Sequence, residues 1–225
     1  MKRTLLCAAT RLSRDEFWAH SLLGQSLRRF PRSLLPQLAF RFDNHGARCE
    51  GLSTVYNRAL DQCPDDRHLL LVHDDVYLHD VFLEQRVDDG LEHFDVLGLA
   101  GSRHSDLHQP SWGLAFDDEL RCLGWQNGGG RPSHVTMSGA VSHTSTGGRR
   151  SLAATEEPPV ALSEYGPFGS CHLLDGLFLA LDVGRARQER VRFDEQFSFH
   201  LYDLDFCRSA TRAGLLLGTW PILGT

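Results

Sequence analysis

The sequence predicts an α/β fold with a mostly parallel central sheet and helices on both faces of that sheet. Over residues 1–100, short apolar runs alternate with segments of helical periodicity, which is typical of strand-helix-strand units with right-handed crossovers. One of these runs, residues 69–72, is continuously apolar, as expected of a strand that is buried on both faces. A chain of 225 residues fits one large core, so we expect a single domain over residues 1–225.

The first three elements are predicted from local patterns. Residues 4–10 form a short apolar run and predict the first strand. Ser13 and Glu16 have capping-box spacing and precede apolar residues at helical spacing, which predicts a helix over residues 14–28. Apolar side chains alternate over residues 38–42 and predict the second strand.

The next elements complete the predicted nucleotide-binding half, residues 1–100. Ser53 is expected to cap a second helix, and the apolar strand at residues 69–72 follows that helix. Residues 81–91 predict a third helix, and residues 95–100 predict a fourth strand. The glycine-rich fingerprints of dinucleotide-binding and P-loop proteins do not occur. If a nucleotide binds, a cation or side chains must therefore hold its phosphates.

The periodicity fails over residues 101–163, which we interpret as an irregular insertion. Residues 112–125 are expected to form a hairpin, and residues 136–148 a flexible loop. Long irregular insertions are often functional, but they are also often variable surface loops. The sequence leaves both interpretations open, a lid over the substrate or a surface loop.

The remaining residues, 164–225, form the predicted acceptor-binding and catalytic half. Residues 171–182 predict a strand that is preceded by an acid-glycine step. Residues 200–213 predict a helix that ends at a glycine, and residues 215–223 predict a last strand.

Composition excludes several classes of function. The net charge of −6 argues against a nucleic-acid partner, because phosphate contacts need clustered Lys and Arg. No apolar run approaches the length of a membrane span. The six cysteines show no C-x-x-C spacing, which argues against a zinc or redox site and favours reduced thiols in a cytoplasmic protein. The sequence does not predict an oligomeric state.

The apolar strand at residues 69–72 ends in His73, Asp74 and Asp75. Ligands of open parallel sheets bind beyond the carboxyl ends of the strands, and two adjacent acids there can hold a divalent cation that binds a phosphate. Taken alone, the pair is better interpreted as the end of the strand and a solvated turn, since Asp is common in loops.

Four segments of the chain together resemble one known family. They are GLSTVYNRAL, the HDD step, LLDGLFLAL, and FDEQFSFHLYDLDFCRSATRAGL, in this order. They resemble glycosyltransferases of the GT-A fold, most of all the family-2-like group with streptomycin-biosynthesis-type domains. The resemblance implies a GT-A-like, Rossmann-like domain. It also implies an inverting hexosyltransferase-type enzyme that moves a sugar from a nucleotide-diphosphate donor to a hydroxyl acceptor, which is a glycan, a natural product or a protein.

The resemblance assigns a metal site to the HDD step. Asp75 matches the last acid of the family's D-x-D motif and would bind Mn²⁺ or Mg²⁺, with Asp74 in support. His73 takes the first position of the motif, where the family has an acid. Many members carry a further His ligand after the final strand, which this sequence lacks. Three explanations stay open: His200 or His143 substitutes for it, the tail has been lost, or the cation is held mostly by the nucleotide.

The resemblance also places the catalytic base and the acceptor site. Asp203 matches the second acid of the family's Glu-Asp step and would take the proton from the acceptor hydroxyl, while Tyr202 takes the place of the Glu. Asp175 and Gly176 match the step that lines the acceptor. Without the resemblance, Asp203 would be read as a helix cap.

The donor would bind at the ends of the first two strands and along the second helix. The residues implied there are Thr10, Arg11 and Asp43 for the nucleoside and Asn57 and Arg58 for the diphosphate. Two other functions stay open. One is a nucleotidyltransferase, which usually has a glycine-rich, basic loop after its first strand. The other is a catalytically silent module that binds a sugar nucleotide or a glycan.

Overall fold

The computed structural model describes residues 1–105, 109–114, 137–144 and 160–224. The strands of this part of the chain are β1 (Arg3–Ala9), β2 (Gln37–Arg41), β3 (Arg67–Val72), β4 (Val96–Gly98), β5 (Ala100–Ser102), β6 (Met137–Thr144), β7 (Val160–Gly166), β8 (Gly169–Cys171), β9 (Leu173–Leu174), β10 (Phe178–Asp182) and β11 (Leu217–Thr219). The helices are α1 (Arg14–His20), α2 (Leu22–Leu27), α3 (Leu52–Gln62), α4 (Leu83–Leu91), α5 (Val183–Gln188) and α6 (Tyr202–Arg212), with a 3₁₀ turn at Gly46–Arg48.

The strands form two sheets. The larger has seven strands in the order β2-β1-β3-β10-β4-β11-β8, and the smaller has four in the order β7-β6-β5-β9. In the larger sheet, β1, β2, β3, β4 and β11 run in one direction, while β8 and β10 run in the other. The predicted α/β class with a mostly parallel sheet is therefore confirmed.

Strand β3 lies in the middle of the larger sheet and is buried on both faces. Leu69 and Leu71 pack in the apolar cluster with α3, α5 and α6, whereas Leu70 and Val72 pack in the cluster with α1, α2 and α4. All four side chains are 0% exposed. Successive side chains of a strand point to opposite faces, so a continuous apolar run is what two covered faces require.

Two predicted helix features are wrong for local reasons. The single helix expected over residues 14–28 is two helices, because Ser21 has an extended backbone and its Oγ accepts a hydrogen bond from Gly24 N at 2.8 Å. Ser53 does not cap α3, since the N-cap is Gly51. The Ser53 hydroxyl is inside the protein and donates to the carbonyl of Phe197.

Part of the predicted insertion is regular structure. Residues 137–144, expected as part of a flexible loop, form β6, which pairs with β5 and β7 in the smaller sheet. The strand expected over residues 95–100 is two strands, β4 and β5, which belong to different sheets. The last predicted strand is shortened to β11. Most of the hairpin expected at residues 112–125 lies outside the described residues.

Two findings concern residues that could anchor or crosslink the chain. Among the described residues, no helix has both the length and the apolar character needed to cross a membrane. The described cysteines, all except Cys122, are free thiols.

His68 gives β3 a pH-dependent contribution to stability. Its side chain is buried, with Nε2 3.0 Å from Asp88 Oδ1 and with Lys2 and Asp182 nearby, and burial lowers the pKa of His68 below 6.5. The neutral imidazole's contribution is therefore present above about pH 6.5 and is lost as the pH falls through the lower folded-state pKa. For one proton, the loss has a slope of at most about 1.4 kcal/mol per pH unit.

We expect this slope to disappear in His68→Gln. Urea unfolding at a series of pH values would show it as a free energy of unfolding that falls less steeply with acidification than in the wild type. The matched control is His20→Gln, because His20 is exposed and should leave the wild-type slope unchanged. Equal slopes in the wild type and His68→Gln would contradict the prediction.

Candidate active site

The carboxyl ends of β1, β2 and β3 meet at one edge of the larger sheet, because the three strands are parallel and adjacent. Thr10 and Arg11 follow β1, and Asp43 follows β2. The loops after these two strands touch, since Asp43 N donates to Leu12 O at 3.0 Å. Asp43 has a positive φ of 53°, which Asp tolerates better than most residues. The residues predicted to bind the nucleoside thus lie together.

The two aspartates that follow β3 have different surroundings. The Oδ2 atom of Asp74 accepts a hydrogen bond from the Thr10 hydroxyl at 2.5 Å, which joins the ends of β1 and β3. The Asp75 side chain is 81% exposed. Asp74 is therefore held by the protein, while Asp75 is free to bind a ligand from solution.

The predicted diphosphate residues do not all face this edge. Arg58 is exposed and forms an ion pair with Glu50, and Arg11, which was predicted to bind the nucleoside, is also exposed. Asn57 is turned into the protein: its amide nitrogen donates to the carbonyl of Phe193 at 2.9 Å, and its amide oxygen accepts from the Phe193 backbone N–H at 3.0 Å. Its contacts in the structure therefore hold the segment before α6.

The turn between β9 and β10 brings the second group of predicted residues to the same edge. Strand β10 pairs antiparallel with β3, with Phe178 opposite Val72, so the turn before it lies beside the end of β3. The backbone N–H of His73 donates to Leu177 O at 3.0 Å and fixes this contact. Asp175 and Gly176 lie in this turn.

Asp203 is held in place by backbone groups at the start of α6. Its Oδ2 accepts from Gly176 N at 3.1 Å, and its Oδ1 accepts from Leu204 N at 2.9 Å. The residue before α6, Leu201, has a positive φ of 64°, which is strained for a leucine. The carboxylate therefore has a defined orientation at the end of the strained turn.

Gly176 is required by the close approach of α6. A Cβ atom at this position would lie 2.2 Å from Tyr202 Oη and 2.9 Å from Asp203 Cβ. The Tyr202 hydroxyl also donates to Gly176 O at 3.0 Å. Gly176 thus hydrogen-bonds to the first turn of α6 through both its N–H and its carbonyl. The absence of a side chain allows this close approach.

His73 connects the end of β3 to α6. Its Nε2 lies 2.7 Å from Tyr202 Oη, and its Nδ1 lies 4.0 Å from Asp75 Oδ1. Burial lowers the pKa of His73, although the nearby carboxylates of Asp75 and Asp203 oppose this effect. A neutral imidazole is therefore favoured at the centre of the site.

The electrostatics favour a carboxylate that can accept a proton. Burial raises the pKa of Asp203 above the ordinary value of 3.8. Burial, together with the charges of Asp203 and Asp75, raises the pKa of Asp175 to about 6, although hydrogen bonds from Leu177 and Trp112 oppose the rise. Perturbed carboxyl groups that face one another at a strand edge are typical of active sites.

The residues present can hold a divalent cation only with help from a ligand. Among the described residues, no group of three His, Cys, Asp or Glu side chains could hold a metal ion. Asp75 and the second oxygen of Asp74 remain as donors, and Mg²⁺ in nucleotide sites is commonly held by one or two carboxylates plus phosphates. His200 is exposed and stacks edge-on with Phe199, and the side chain of His143 lies outside the described residues.

Sequence reasoning missed three residues around this site. Trp112 lies in the predicted insertion and hydrogen-bonds Asp175. Tyr56 on α3 is fully buried, and its ring packs edge-on against the Tyr202 ring. Leu201 carries the strained backbone. Only the apolar stripe of α3 hinted at Tyr56, and no sequence signal marked the other two.

No protein-family model matches the chain, and no curated protein matches it significantly. Solved structures with some similarity include A197 from STIV, with a TM-score of 0.48 and 13% identity over 96% of this chain and 81% of that chain. Another is S. aureus TarS 1-349, with a TM-score of 0.48 and 11% identity over 96% of this chain and 57% of that chain. HddC from Yersinia pseudotuberculosis has a TM-score of 0.43 and 9% identity over 99% of this chain and 90% of that chain. At these scores the similarities identify no function.

Proposed function

We propose that the protein is a metal-dependent, inverting glycosyltransferase that moves a sugar from a nucleotide-diphosphate donor to a hydroxyl acceptor. The observation that supports this best is Asp203, a partly buried carboxylate with a raised pKa that two backbone N–H groups orient. It shares the sheet edge with the exposed Asp75. A general base and a cation-binding acid on one edge are what glycosyl transfer from a diphosphate requires.

The donor would bind across the ends of β1, β2 and β3. In this proposal Thr10, Arg11 and Asp43 would contact the nucleoside, and Arg58 would contact the diphosphate. Asp75, supported by Asp74, would hold Mn²⁺ or Mg²⁺. When bound, this cation supplies positive charge that stabilises the departing diphosphate.

The acceptor would bind between Asp203 and the turn at Asp175 and Gly176. An oxygen of Asp203 takes the proton of the acceptor hydroxyl while the hydroxyl oxygen forms a bond to the anomeric carbon. The bond from that carbon to the diphosphate oxygen breaks, and the diphosphate leaves with the electron pair. Attack and departure occur on opposite faces of the carbon, so its configuration inverts.

One observation favours a second candidate, a catalytically silent module that binds a sugar nucleotide or glycan. Within the described residues, the side chains alone do not complete a metal site. A silent module would bind a donor without cleaving it. The two functions therefore differ in a measurable product, free nucleoside diphosphate.

We expect Asp75→Ala to abolish the Mn²⁺-dependent release of nucleoside diphosphate, because it removes the one fully accessible carboxylate of the cation site. UDP-, GDP- and dTDP-sugars would first be screened by thermal shift with Mn²⁺, since a bound ligand raises the melting temperature. Release from the stabilising donor would then be measured. Asp66→Ala is the control, because Asp66 is exposed and precedes β3 at its opposite end. Binding without release in the wild type would contradict the transferase and favour the silent module.

A further inference from the structure

An open cavity of about 450 Å³ lies at the end of α6 that is farther from Asp203. Thr211 and Gly214 line it from the C-terminus of α6, and Leu217 lines it from the start of β11. Because β11 runs in the same direction as β3, its first residue lies at the sheet edge opposite to Asp75. The volume is within the range of small-molecule sites. The proposed sugar transfer leaves this cavity unused.

Two side chains that line the cavity have polar atoms without a partner. Arg103 Nε and Thr211 Oγ1 are buried, and neither has a hydrogen-bond partner in the part of the chain that the structure describes. The Arg103 guanidinium is held in place through another nitrogen, since Nη2 donates to Pro167 O at 2.8 Å. A buried polar group without a partner is costly, and a ligand atom that accepts hydrogen bonds would remove this cost.

The charges around the cavity favour an anion. None of the described residues that line it is an Asp or a Glu, whereas Arg103 carries a permanent positive charge. The acid nearest in the bonding pattern is Asp95, which accepts from Leu216 N at 2.8 Å, and its charge is paired with Arg185 at 3.2 Å. The positive charge of Arg103 is therefore not balanced by the wall of the cavity.

The backbone at the end of α6 is already satisfied. Three carbonyl oxygens of its last turns accept hydrogen bonds at 3.0 Å from the N–H groups that follow: Ser209 from Ala213, Ala210 from Leu215, and Thr211 from Gly214. These carbonyls are thus not left to bind a cation or the N–H groups of a ligand. The unpartnered groups at the cavity, a guanidinium N–H and a hydroxyl, can both donate.

We propose that this cavity binds a small molecule that has an oxyanion, either a carboxylate or a phosphate, and an apolar body. The oxyanion would accept hydrogen bonds from Arg103 and from the Thr211 hydroxyl, since guanidinium groups form strong charge-assisted bonds with both anions. The apolar body would contact the leucines of the wall, Leu215, Leu216 and Leu217. Leu216 is 62% exposed, so a ligand there would cover apolar surface that now faces water. This inference does not depend on the proposed sugar transfer.

Titration of the full chain with benzoate, phenyl phosphate and the neutral benzamide tests the proposal, with the Nε–H signals of the arginines followed by ¹H–¹⁵N NMR. We expect an oxyanion probe to shift the Arg103 signal with saturation, and benzamide to bind at least about tenfold more weakly, because hydrogen bonds to charged groups are stronger. The tighter of the two oxyanions tells a carboxylate site from a phosphate site. Inorganic phosphate should bind more weakly than phenyl phosphate, because it lacks the apolar body.

Two variants test the residues. Arg103→Gln assigns the signal by its loss and should weaken oxyanion binding at least about tenfold, as read from the amide signals of the cavity wall. Thr211→Val should weaken binding about fivefold, the effect of one lost hydrogen bond. It should also raise the melting temperature, because it removes a buried hydroxyl without a partner. A purely structural role of Thr211 would change the melting temperature alone. Arg212→Gln is the matched control, because Arg212 is exposed and does not line the cavity.

Binding at the proposed active site must be told apart from binding at this cavity. Asp203→Asn should leave oxyanion binding unchanged, because Asp203 lies at the other end of α6. Circular dichroism would verify that all variants are folded. No saturable shift with any oxyanion, equal affinity for benzoate and benzamide, full binding in Arg103→Gln, or a loss of binding in Asp203→Asn would each overturn the proposal.

Discussion

Replacing Asp203 by asparagine is expected to lower the turnover of sugar transfer by about 10²–10⁴-fold, the range that a general base contributes. Asparagine can keep the hydrogen bond from Leu204 N through its oxygen, but it cannot accept the acceptor's proton. Donor binding should change little, because the proposed donor contacts come from residues that follow β1, β2 and β3 and not from α6. Steady-state kinetics with the donor identified by thermal shift would give both parameters.

The matched control is Asp205→Asn. Asp205 lies in the same first turn of α6 and, like Asp203, has its pKa raised by burial, whereas the hydrogen bond from Gly176 N goes to Asp203. We expect Asp205→Asn to change turnover by less than about threefold. Unchanged turnover in Asp203→Asn, or an equal loss in both variants, would contradict the assignment of Asp203 as the base.

Stability separates a catalytic loss from a structural one. Because the folded-state pKa of Asp203 is raised, its stabilising contribution is full below about pH 3.8 and is lost as the pH rises through the raised value. Near neutral pH the charged carboxylate therefore destabilises the folded state. Asp203→Asn removes this charge. We therefore expect the variant to lose activity without a comparable loss in its free energy of unfolding.

The sequence predicts the first strand-helix-strand units well, and also the pair of acids Asp74 and Asp75 after β3, because local signals specify them. A run such as residues 69–72 has no alternation and is interrupted by no turn former, so a strand buried on both faces is the economical structure. Parallel strands then bring their carboxyl ends to one edge whatever the details of the loops. The proximity of Thr10, Asp43 and Asp74 follows from this geometry alone.

Other features depend on contacts between distant residues and could not be predicted. The antiparallel insertion of β10 between β3 and β4 brings Gly176 next to His73, and no local pattern encodes this pairing. Asn57 shows the same limit. Its position on α3 was compatible with a diphosphate contact, but its amide is used by Phe193, 136 residues further along the chain.

Irregular segments defeat periodicity for a different reason. Residues 137–144 contain small and polar side chains with little apolar alternation, yet they form β6 because β5 and β7 supply backbone partners on both sides. A strand with two neighbours gains its hydrogen bonds from the sheet, not from its own side chains. Strand propensity is therefore a poor guide in this region.

Gly176→Ala is expected to damage both stability and transfer. The added Cβ would lie 2.2 Å from Tyr202 Oη, and Tyr202 is 3% exposed and cannot move aside without displacing its neighbours. Overpacking of this kind costs about 1–3 kcal/mol of unfolding free energy. The first turn of α6 must shift, and a shift of about 1 Å in the base can cost about 10²-fold in rate. Urea unfolding and steady-state kinetics would measure the two effects.

Two further variants identify the clash as the cause. Gly184→Ala is the matched control in α5, where the nearest atom to the new Cβ is the Asp182 side-chain oxygen at 3.2 Å, so stability and rate should change little. Tyr202→Phe in the Gly176→Ala background removes the closest clashing atom and should recover part of the lost stability, which a double-mutant cycle measures as a coupling energy. Additive effects of the two substitutions would show that the tyrosine hydroxyl is not what excludes a side chain at position 176.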